Sequence, residues 1–380
     1  MTEQVKVLLV GGSVRAAAFS ALRAGWAPWC ADLFADTDLQ ACCPAQAVSP
    51  AAYPRAFLAL ADEAPPGPWL YTGGLENHPR LIAELARRRP LWGNDATALS
   101  HARSPTRVAG LLRDAGLPSP EIRFAPPADT RKAWLLKPLA GCGGRGIRLW
   151  DGASPLPPGY YFQEQIAGPS AAALFVGDGQ RARLLGVTRQ LVGEAWLHAR
   201  PFRYCGSIGP LALTDAQRQH FVLLGNTLAA GCGLRGLFGV DVIVRHGVPW
   251  TLEVNPRYTA SVEVLEHATG LLALHEHRRV FDPGLPPLQT QPSKRVVGKA
   301  VLYAPWEMVF PADGPWREIG SSAAYPEGMP RFADVPKAGE RIAAGRPILT
   351  MFAAAATLGE CQNSLRRQAD ALINALTQTR

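Results

Sequence analysis

The sequence has little charge, and it contains no apolar run that approaches the ~20 residues of a membrane-spanning helix. Charged residues make up 18% of its 380 residues and hydrophobic residues 47%. This balance argues against intrinsic disorder and predicts a core large enough for about two or three subdomains. The start, MTEQVKVLLVGG, lacks the basic segment, apolar core and cleavage site of a secretory signal. We therefore expect a soluble protein with no membrane partner.

The sequence also lacks any regular cysteine pattern. Its seven cysteines are irregularly spaced and include the adjacent pair Cys42-Cys43, so they form neither a disulfide framework nor a zinc-binding pattern. Free cysteines in such an arrangement are typical of a reducing compartment. We expect a cytoplasmic protein.

Dense basic runs are missing as well, although the net charge is +8 and the isoelectric point is near 9.3. The basic residues are spread along the chain without interleaved aromatics, so a nucleic-acid partner is not expected and an anionic substrate or nucleotide is favoured. A nucleic-acid binder stays open as an alternative, because it predicts steeply salt-dependent DNA affinity. Lysine is particularly scarce and occurs only as Lys6, Lys132, Lys137, Lys294, Lys299 and Lys337.

The first hundred residues alternate strand and helix signals. Apolar strands are predicted at residues 5–10, 27–33 and 69–72, and helices lie between and after them. Such alternation predicts a parallel sheet with right-handed crossovers. The glycines after the first strand lack the G-x-G-x-x-G spacing of a dinucleotide site, so they are a tight turn or part of a substrate-binding loop. The loops at residues 11–15 and 73–77 follow strand ends and are candidates to hold a substrate.

A glycine-rich loop follows a single predicted helix, which lies between residues 93 and 117 and ends at Gly116. A strand at 134–136 runs into Lys137-Pro138, and residues 139–147 read LAGCGGRGI. Glycines permit positive φ and expose backbone N–H groups, which suits a flap over phosphate oxygens. A plain hairpin turn is the alternative, but the preceding lysine favours phosphate binding. The four glycines are Gly141, Gly143, Gly144 and Gly146.

Three oxygen-bearing side chains stand on a predicted antiparallel hairpin, formed by strands at residues 237–244 and 248–254 around Arg245-His246-Gly247. Because strand side chains alternate, Glu253 and Asn255 share one face, and Asp241 can face them across the hairpin. Mg²⁺ prefers such oxygen ligands and completes its shell with water and phosphate. Solvated or salt-bridged carboxylates are the alternative, which the apolar surroundings disfavour.

In this order, the flap, the segment Gln163-Glu164-Gln165-Ile166 and the ending EVNPR resemble the ATP-grasp superfamily of carboxylate-amine ligases, whose relatives include biotin carboxylase. The resemblance covers roughly residues 1–275. It implies an α/β fold with α+β elements: an N-terminal Rossmann-like preATP-grasp domain at 1–100 and an ATP-grasp domain at 101–280 with a small lid at about 118–190. A linker at 281–293 would lead to a C-terminal β-rich subdomain at 294–380 with a final helix.

The resemblance also implies roles for individual residues. Lys137 corresponds to the lysine on the α- and β-phosphates, the four glycines to the closing loop, and Glu164, Gln165 and Ile166 to the adenine edge. Asp241, Glu253 and Asn255 correspond to the ligands of two Mg²⁺ ions, with Mn²⁺ as a substitute. Arg257 corresponds to the cation at the transferred phosphoryl group or acyl phosphate. The family's earlier phosphate lysine is missing, and Arg103 is the expected replacement unless it is an exposed residue at a helix start.

The implied activity is ATP-dependent ligation through an acylphosphate. The chain looks closest to a predicted carboligase branch of the family. This branch implies small-molecule acid and amine substrates, for example tyrosine or tyramine with glutamate in one-carbon cofactor biosynthesis, and it is compatible with a homodimer. A carbamate-forming carboxylase, another ATP-grasp ligase and a non-catalytic ATP-binding protein are the alternatives. The paired carboxylates argue against the last, because a sensor does not need metal ions for phosphoryl transfer.

Overall fold

The structure is a computed structural model that describes residues 4–129, 131–288, 295–320 and 328–378. Its N-terminal part is a four-stranded parallel sheet in the order β3-β2-β1-β4, so the predicted parallel sheet is confirmed. The strands are β1 (Lys6–Val10), β2 (Ala27–Asp32), β3 (Ala45–Ala47) and β4 (Trp69–Tyr71). The helices between and after them are α1 (Arg15–Arg23), α2 (Thr37–Cys42), α3 (Ala56–Glu63) and α4 (Pro79–Arg88).

The parallel register brings two strand-end loops together. Val10 of β1 pairs with Tyr71 of β4, so the segments that follow them lie side by side. The Gly12 N–H donates to the Gly73 carbonyl oxygen at 2.8 Å. A Cβ atom at Gly11 would lie 2.0 Å from the Thr72 hydroxyl oxygen, so this approach requires glycine. These are the two loops that the sequence predicts to hold a substrate.

The single helix predicted between residues 93 and 117 is wrong, because two helices occupy this segment. They are α5 (Ala96–Ala102) and α6 (Pro105–Asp114). Asp95 caps the first by accepting from Ala98 N at 2.9 Å. Ser104 caps the second, and Pro105 stands at its first position. A proline disfavours helical backbone at the preceding residue, which separates the two helices.

A small antiparallel sheet in the order β5-β8-β6-β7 occupies most of the predicted lid, and we refer to this sheet as the lid. Its strands are β5 (Ile122–Arg123), β6 (Trp134–Pro138), β7 (Arg148–Leu149) and β8 (Tyr160–Glu164). Trp134, Leu136 and Phe162 form its buried core. The sheet ends with β8, so the part of the predicted lid near residue 190 lies elsewhere.

The following strands build an eight-stranded antiparallel sheet, in the order β13-β12-β9-β10-β11-β14-β18-β16. Its strands are β9 (Ser170–Asp178), β10 (Ala182–Val192), β11 (Tyr204–Gly209), β12 (Arg235–Arg245), β13 (Val248–Asn255), β14 (Val296–Tyr303), β16 (Phe332–Ala333) and β18 (Pro347–Ala355). The remaining strands, β15 (Met308–Val309) and β17 (Arg341–Ile342), pair with each other. The helices are α7 (Asp215–Cys232), α8 (Ser261–Thr269), α9 (Ala273–Phe281) and α10 (Leu358–Gln378). Strand β11 and helix α9 have no counterpart in the prediction.

The large sheet has one apolar face and one partly polar face. On the back, Phe175, Phe238 and Val240 pack against Phe221 and Leu224 of α7. The alternate residues of β9 and β12 point to the front. There Leu174 and Leu237 pack with α1, while Ala172 and Asp241 line a cleft. One part of the front face therefore packs in the hydrophobic core, and another part lines the cleft.

The boundaries of the predicted subdomains stay a prediction. The large sheet, however, contains strands from more than one of these subdomains. Strands β14, β16 and β18 of the predicted C-terminal subdomain continue the same sheet that carries the β12–β13 hairpin. Residues 289–293 of the predicted linker lie outside the described residues. Among the helices in the described ranges, none is long and apolar enough to cross a membrane.

Candidate active site

The β12–β13 hairpin places the three predicted oxygen ligands together. Asp241 pairs directly with Glu253, and Gly239 pairs with Asn255. The turn is a two-residue connection in which His246 and Gly247 have φ of 51° and 79°, as expected for a tight hairpin turn. The three side chains therefore share the front face, and all three line the cleft. Their role as metal ligands stays a prediction.

Asp241 is held by two amides. The Asn255 Nδ2 donates to Asp241 Oδ2 at 3.1 Å, and the Gln190 Nε2 donates to Asp241 Oδ1 at 2.9 Å. The Ser170 hydroxyl in turn donates to Gln190 Oε1 at 2.6 Å. Sequence reasoning missed Gln190, since no motif marks a glutamine that lies two strands away, on β10.

Burial and the adjacent Glu253 carboxylate raise the pKa of Asp241 to about 6. Burial would also raise the pKa of Glu253, but Arg103 and Lys137 more than offset this effect and lower it. Two carboxylates therefore face each other with incomplete compensation, and a bound cation would relieve this repulsion. The donor set of two carboxylates and an amide oxygen fits Mg²⁺. No group of three or more His, Cys, Asp or Glu side chains suited to a metal occurs in the part of the chain that the structure describes.

Arg103, at the end of α5, contacts the Glu253 carboxylate. Its guanidinium forms an ion pair with Glu253 and also donates to the Gly141 carbonyl oxygen at 3.1 Å and to Asn77 Oδ1 at 3.2 Å. Only 13% of its side chain is exposed. The alternative of an exposed arginine at a helix start is therefore wrong. Its role toward phosphate stays a prediction.

Lys137 connects the lid with the hairpin. It lies on β6 and is buried, and its Nζ donates to Gln163 Oε1 at 3.0 Å. The Gln163 Nε2 donates to the Leu252 carbonyl oxygen on β13 at 3.2 Å. An ammonium group thus faces the cleft close to the two carboxylates. Sequence reasoning missed Gln163 as the side chain that positions this lysine.

The glycine-rich loop joins β6 to β7 and lies against the large sheet. Gly143, Gly144 and Gly146 have φ of 60°, 76° and 82°, which other residues rarely adopt. The Tyr204 N–H donates to the Gly143 carbonyl oxygen at 3.3 Å. A Cβ atom at Gly144 would lie 1.8 Å from the Phe202 carbonyl oxygen. The predicted flap is therefore in contact with the segment that enters β11.

The predicted adenine edge is only partly available. The Glu164 N–H donates to the Glu121 carbonyl oxygen at 2.9 Å, and the Gln165 N–H donates to the Ala133 carbonyl oxygen at 2.8 Å. The Glu164 carboxylate accepts from Glu121 N at 3.2 Å and lies 3.3 Å from the Lys132 ammonium. The N–H groups of Glu164 and Gln165 are thus used within this small sheet, and the role of the segment toward adenine stays a prediction. Both residues and Ile166 still line the cleft.

Arg257 is held from the N-terminal part of the molecule. Its Nε donates to Glu76 Oε1 at 2.8 Å, and its other nitrogens donate to the Tyr258 carbonyl oxygen at 3.1 Å and to Asn255 Oδ1 at 3.2 Å. Glu76 is buried in the predicted substrate loop at residues 73–77, but sequence reasoning gave it no role. The guanidinium is therefore fixed beside Asp241, Glu253 and Asn255, which we call the triad.

One cleft of about 1180 Å³ lies between the lid, the large sheet and the N-terminal loops, and it is lined by Asp241, Glu253, Asn255, Lys137, Arg257 and the flap residues Gly143 and Gly144. Gly12, Ser13, Gly73 and Gly74 of the two strand-end loops line it as well. Apolar side chains from both sheets form another part of its wall, a chemical surface suited to a flat heterocycle. These residues are Leu135, Ile147, Ile166, Ile243 and Leu252.

Comparison with known proteins finds a similar domain for the middle of the chain. Residues 106–261 match the model of an ATP-grasp domain. This part of the chain is therefore similar to an ATP-grasp domain, and the mixed α/β fold that the sequence predicts is confirmed.

Two solved structures are similar to the chain over nearly its full length. The L-amino acid ligase from Bacillus licheniformis has a TM-score of 0.68 and 15% identity, and 98% of each chain is covered. The biotin carboxylase domain dimer of Hydrogenobacter thermophilus 2-oxoglutarate carboxylase, in complex with MgADP and bicarbonate, has a TM-score of 0.67 and 16% identity. The match covers 93% of this chain and 87% of that one. At such identities the likeness shows the fold alone.

Among curated proteins, the carbamoyl phosphate synthase large chain of Rubrobacter xylanophilus is 25% identical over 276 residues. That match covers 66% of this chain but only 25% of the synthase, so the chain spans far less than the whole of that relative.

Proposed function

We propose that the chain is an ADP-forming ATP-grasp ligase that joins a carboxylic acid to an amine through an acylphosphate. The observation that carries this proposal is one cleft lined by the Asp241, Glu253 and Asn255 side chains, by Lys137 and by the glycine-rich flap. The similarity to an L-amino acid ligase supports amino acids as substrates. The strand-end loops at residues 11–15 and 73–77 and the hydroxyl groups of Thr259 and Ser261 also line the cleft. They offer polar contacts to an amino-acid substrate.

Each residue then has a chemical task. The apolar part of the wall receives the adenine ring, while Lys137 and the flap amides hold phosphate oxygens. Asp241, Glu253 and Asn255 would hold one or two Mg²⁺ ions, which neutralise charge on the phosphates when bound. Arg103 supports Glu253 and replaces the missing phosphate lysine.

The acid substrate attacks the γ-phosphate, so that a new C–O–P linkage forms and ADP leaves. Lys137 and Arg257 offset the negative charge that develops during this transfer. The amine then attacks the acyl carbon, a C–N bond forms and phosphate leaves. Closure of the flap against residues 202–204 excludes water, which would otherwise hydrolyse the acylphosphate.

For the substrates, we infer ligation of tyrosine or tyramine with glutamate, in a reaction sequence that supplies a one-carbon cofactor. Among the residues lining the cleft, Tyr53, Tyr303 and Phe34 offer aromatic surface to such a substrate. Cytoplasmic location and a homodimer stay predictions.

The test is ADP release from ATP and MgCl₂ with pairs of candidate acids and amines, including L-glutamate with L-tyrosine or tyramine. Release that requires both members of a pair supports a ligase. Release with bicarbonate and an amine would instead identify a carbamate-forming carboxylase. Equilibrium ATP binding without turnover over the whole panel would favour the non-catalytic alternative. Glu253→Gln is the matched control, since it keeps the size of the side chain and removes its charge.

A further inference from the structure

Beyond the triad, the cleft continues along the front face of the large sheet. Asp241 pairs with Ala172, and Ala172 pairs with Thr188 of β10. Gln190, two residues further on the same face, pairs with Ser207 of β11, and Ser207 pairs with Lys299 of β14. Paired residues in a sheet project to the same side. A polar row therefore leads from the triad to Lys299, and both Ser207 and Lys299 line the cleft.

Lys299 brings a buried cation to the far end of this row. It is 4% exposed, and its Nζ donates to Glu263 Oε2 at 3.2 Å. An ammonium has three donors, and Glu263 is the one salt-bridge partner of Lys299 within the described ranges. The same Glu263 also binds the Arg15 guanidinium, so it is shared between two cations.

Arg203 brings a second cation to the same end. Its guanidinium lies 5.9 Å from the centre of the Tyr303 ring. Tyr303 donates to the Tyr204 carbonyl oxygen at 2.8 Å, and the hydroxyl groups of Tyr204 and Ser207 are 2.9 Å apart. Across the described part of the chain, no carboxylate lies within salt-bridge distance of Arg203. A ring contact fixes the plane of the guanidinium and leaves its N–H groups available.

Arg203 also lies between the two residues that contact the flap. Its neighbours Phe202 and Tyr204 are the residues that contact Gly144 and Gly143. A ligand group bound by Arg203 would therefore lie beside the flap and within the same cleft as the triad.

We propose that this end of the cleft is an anion subsite. Arg203 and Lys299, with the hydroxyl groups of Ser207 and Tyr204, bind a second acidic group of the substrate, distinct from the carboxylate that is activated. The substrate is thus a dianionic acid, whose second group is a carboxylate or a phosphate. This inference rests on the proposed function for the identity of the reaction, but the binding site itself can be tested without turnover.

The experiment is calorimetric titration of the full chain with ADP and MgCl₂ present, using two pairs of probes. L-Glutamate is compared with L-glutamine for a carboxylate, and O-phospho-L-serine is compared with L-serine for a phosphate. We expect one acidic probe to bind at least about tenfold more tightly than its neutral counterpart, since hydrogen bonds to charged groups are strong. Arg203→Gln and Lys299→Gln should each remove this preference, while the exposed control Arg341→Gln should keep it.

Equal affinity for the acidic and neutral probes in the wild type would overturn the subsite, as would a preference that survives Arg203→Gln. Because Lys299 is buried, its variant can lose stability, but Arg203 is half-buried and provides the test by itself. Acid-selective binding without ADP release over the substrate panel would overturn the proposed ligase and leave the subsite standing. ADP release with neutral acids, together with equal binding of the acidic and neutral probes, would support the proposed ligase and overturn the subsite.

Discussion

Two charge clusters lie on the front face of the same sheet, and they differ in how completely their charges are paired. In the network around Arg15, the guanidinium contacts Glu263 and also Asp334, with its Nε 3.0 Å from Asp334 Oδ1. Glu263 is fully buried and has Lys299 as a second cationic partner. In the cleft, Asp241 instead faces Glu253 and is held only by neutral amides.

The pKa values of Glu263 and Asp241, one carboxylate from each cluster, move in opposite directions, although burial and the nearby Asp334 also raise the pKa of Asp38, beside Arg15, to about 6. Burial would raise the pKa of Glu263, but Arg15 and Lys299 more than offset it and hold this pKa well below its usual range. For Asp241, burial and Glu253 together raise the pKa to about 6. The charge of Glu263 is therefore compensated by cations of the protein itself, whereas that of Asp241 is not. A carboxylate left with uncompensated charge in a cleft is a mark of a functional site.

The largest expected effect is loss of stability when Arg15 is replaced. Arg15→Met leaves Asp334 without its guanidinium partner and deprives buried Glu263 of one of its two cations. Removing one partner of a buried ion pair costs about 3–5 kcal/mol. Denaturant unfolding should show this loss. Arg341→Met is the control, since its side chain is 82% exposed, and it should stay within about 0.5 kcal/mol of the wild type. Similar stabilities of the two variants would contradict a closed structural network.

The next effect is on catalysis. Glu253→Gln should lower kcat for ADP release by about 10²–10³-fold, the range found when one charge-stabilising group of an active site is removed. Lys137→Ala should lower kcat to a similar extent, because it also removes one charge-stabilising group. The fold should stay intact, which thermal unfolding and far-UV circular dichroism would check. Wild-type turnover in either variant would contradict the site assignment.

A pair of glycine variants sharpens the comparison at the flap. Gly143 and Gly144 both have positive φ, so alanine at either costs about 1–2 kcal/mol of local strain. Only at Gly144 would the added methyl group collide with Phe202, because no atom lies within 4 Å of a Cβ at Gly143. We expect Gly144→Ala to lower kcat about tenfold more than Gly143→Ala. Gly144→Ala should also hydrolyse a larger share of ATP without forming the ligated product. The ratio of ADP to ligated product measures this share. Equal effects would mean that contact with residues 202–204 is not needed for closure.

The sequence predicts local elements well where one short pattern decides the structure. The β12–β13 hairpin follows from two apolar runs around a polar corner, and the alternation of side chains places Asp241 opposite Glu253. Helix α4, at Pro79–Arg88, follows the third strand predicted in the first hundred residues, as the alternation of elements predicts. In contrast, the prediction does not contain the break at Ser104-Pro105, although proline at a first helical position is a local signal.

Partners from distant segments could not be predicted from the sequence. Glu76 and Arg257 are separated by 181 positions, and Gln190 and Asp241 by 51. These contacts depend on sheet order and on how the N-terminal part packs against β13. The same limit explains Glu164 and Gln165, because the pairing of β5 and β6 with their segment decides which amides are used. A single sequence contains no local pattern for either choice.

The smallest effect tests the cleft cluster directly through stability. The pKa of Asp241 is raised in the folded state from 3.8 to about 6, so the folded state binds more protons than the unfolded state between these values. The contribution of Asp241 to stability therefore falls as pH rises from about 4 to 6. It stays unfavourable above that range, by about 3 kcal/mol. Asp241→Asn should thus raise the Tm of the metal-free protein at pH 7.5.

The hydrogen bonds can survive this change, because the Gln190 amide can turn over and present its oxygen to the amide introduced at position 241 while its nitrogen donates to Ser170. Addition of MgCl₂ and ADP should then raise the Tm of the wild type more than that of the variant, since only the wild type gains from compensating the charge. The variant would gain stability and lose activity, the opposite of Arg15→Met. An Asp241→Asn protein less stable than the wild type in the absence of metal would mean that Asp241, like Glu263, is already compensated within the fold.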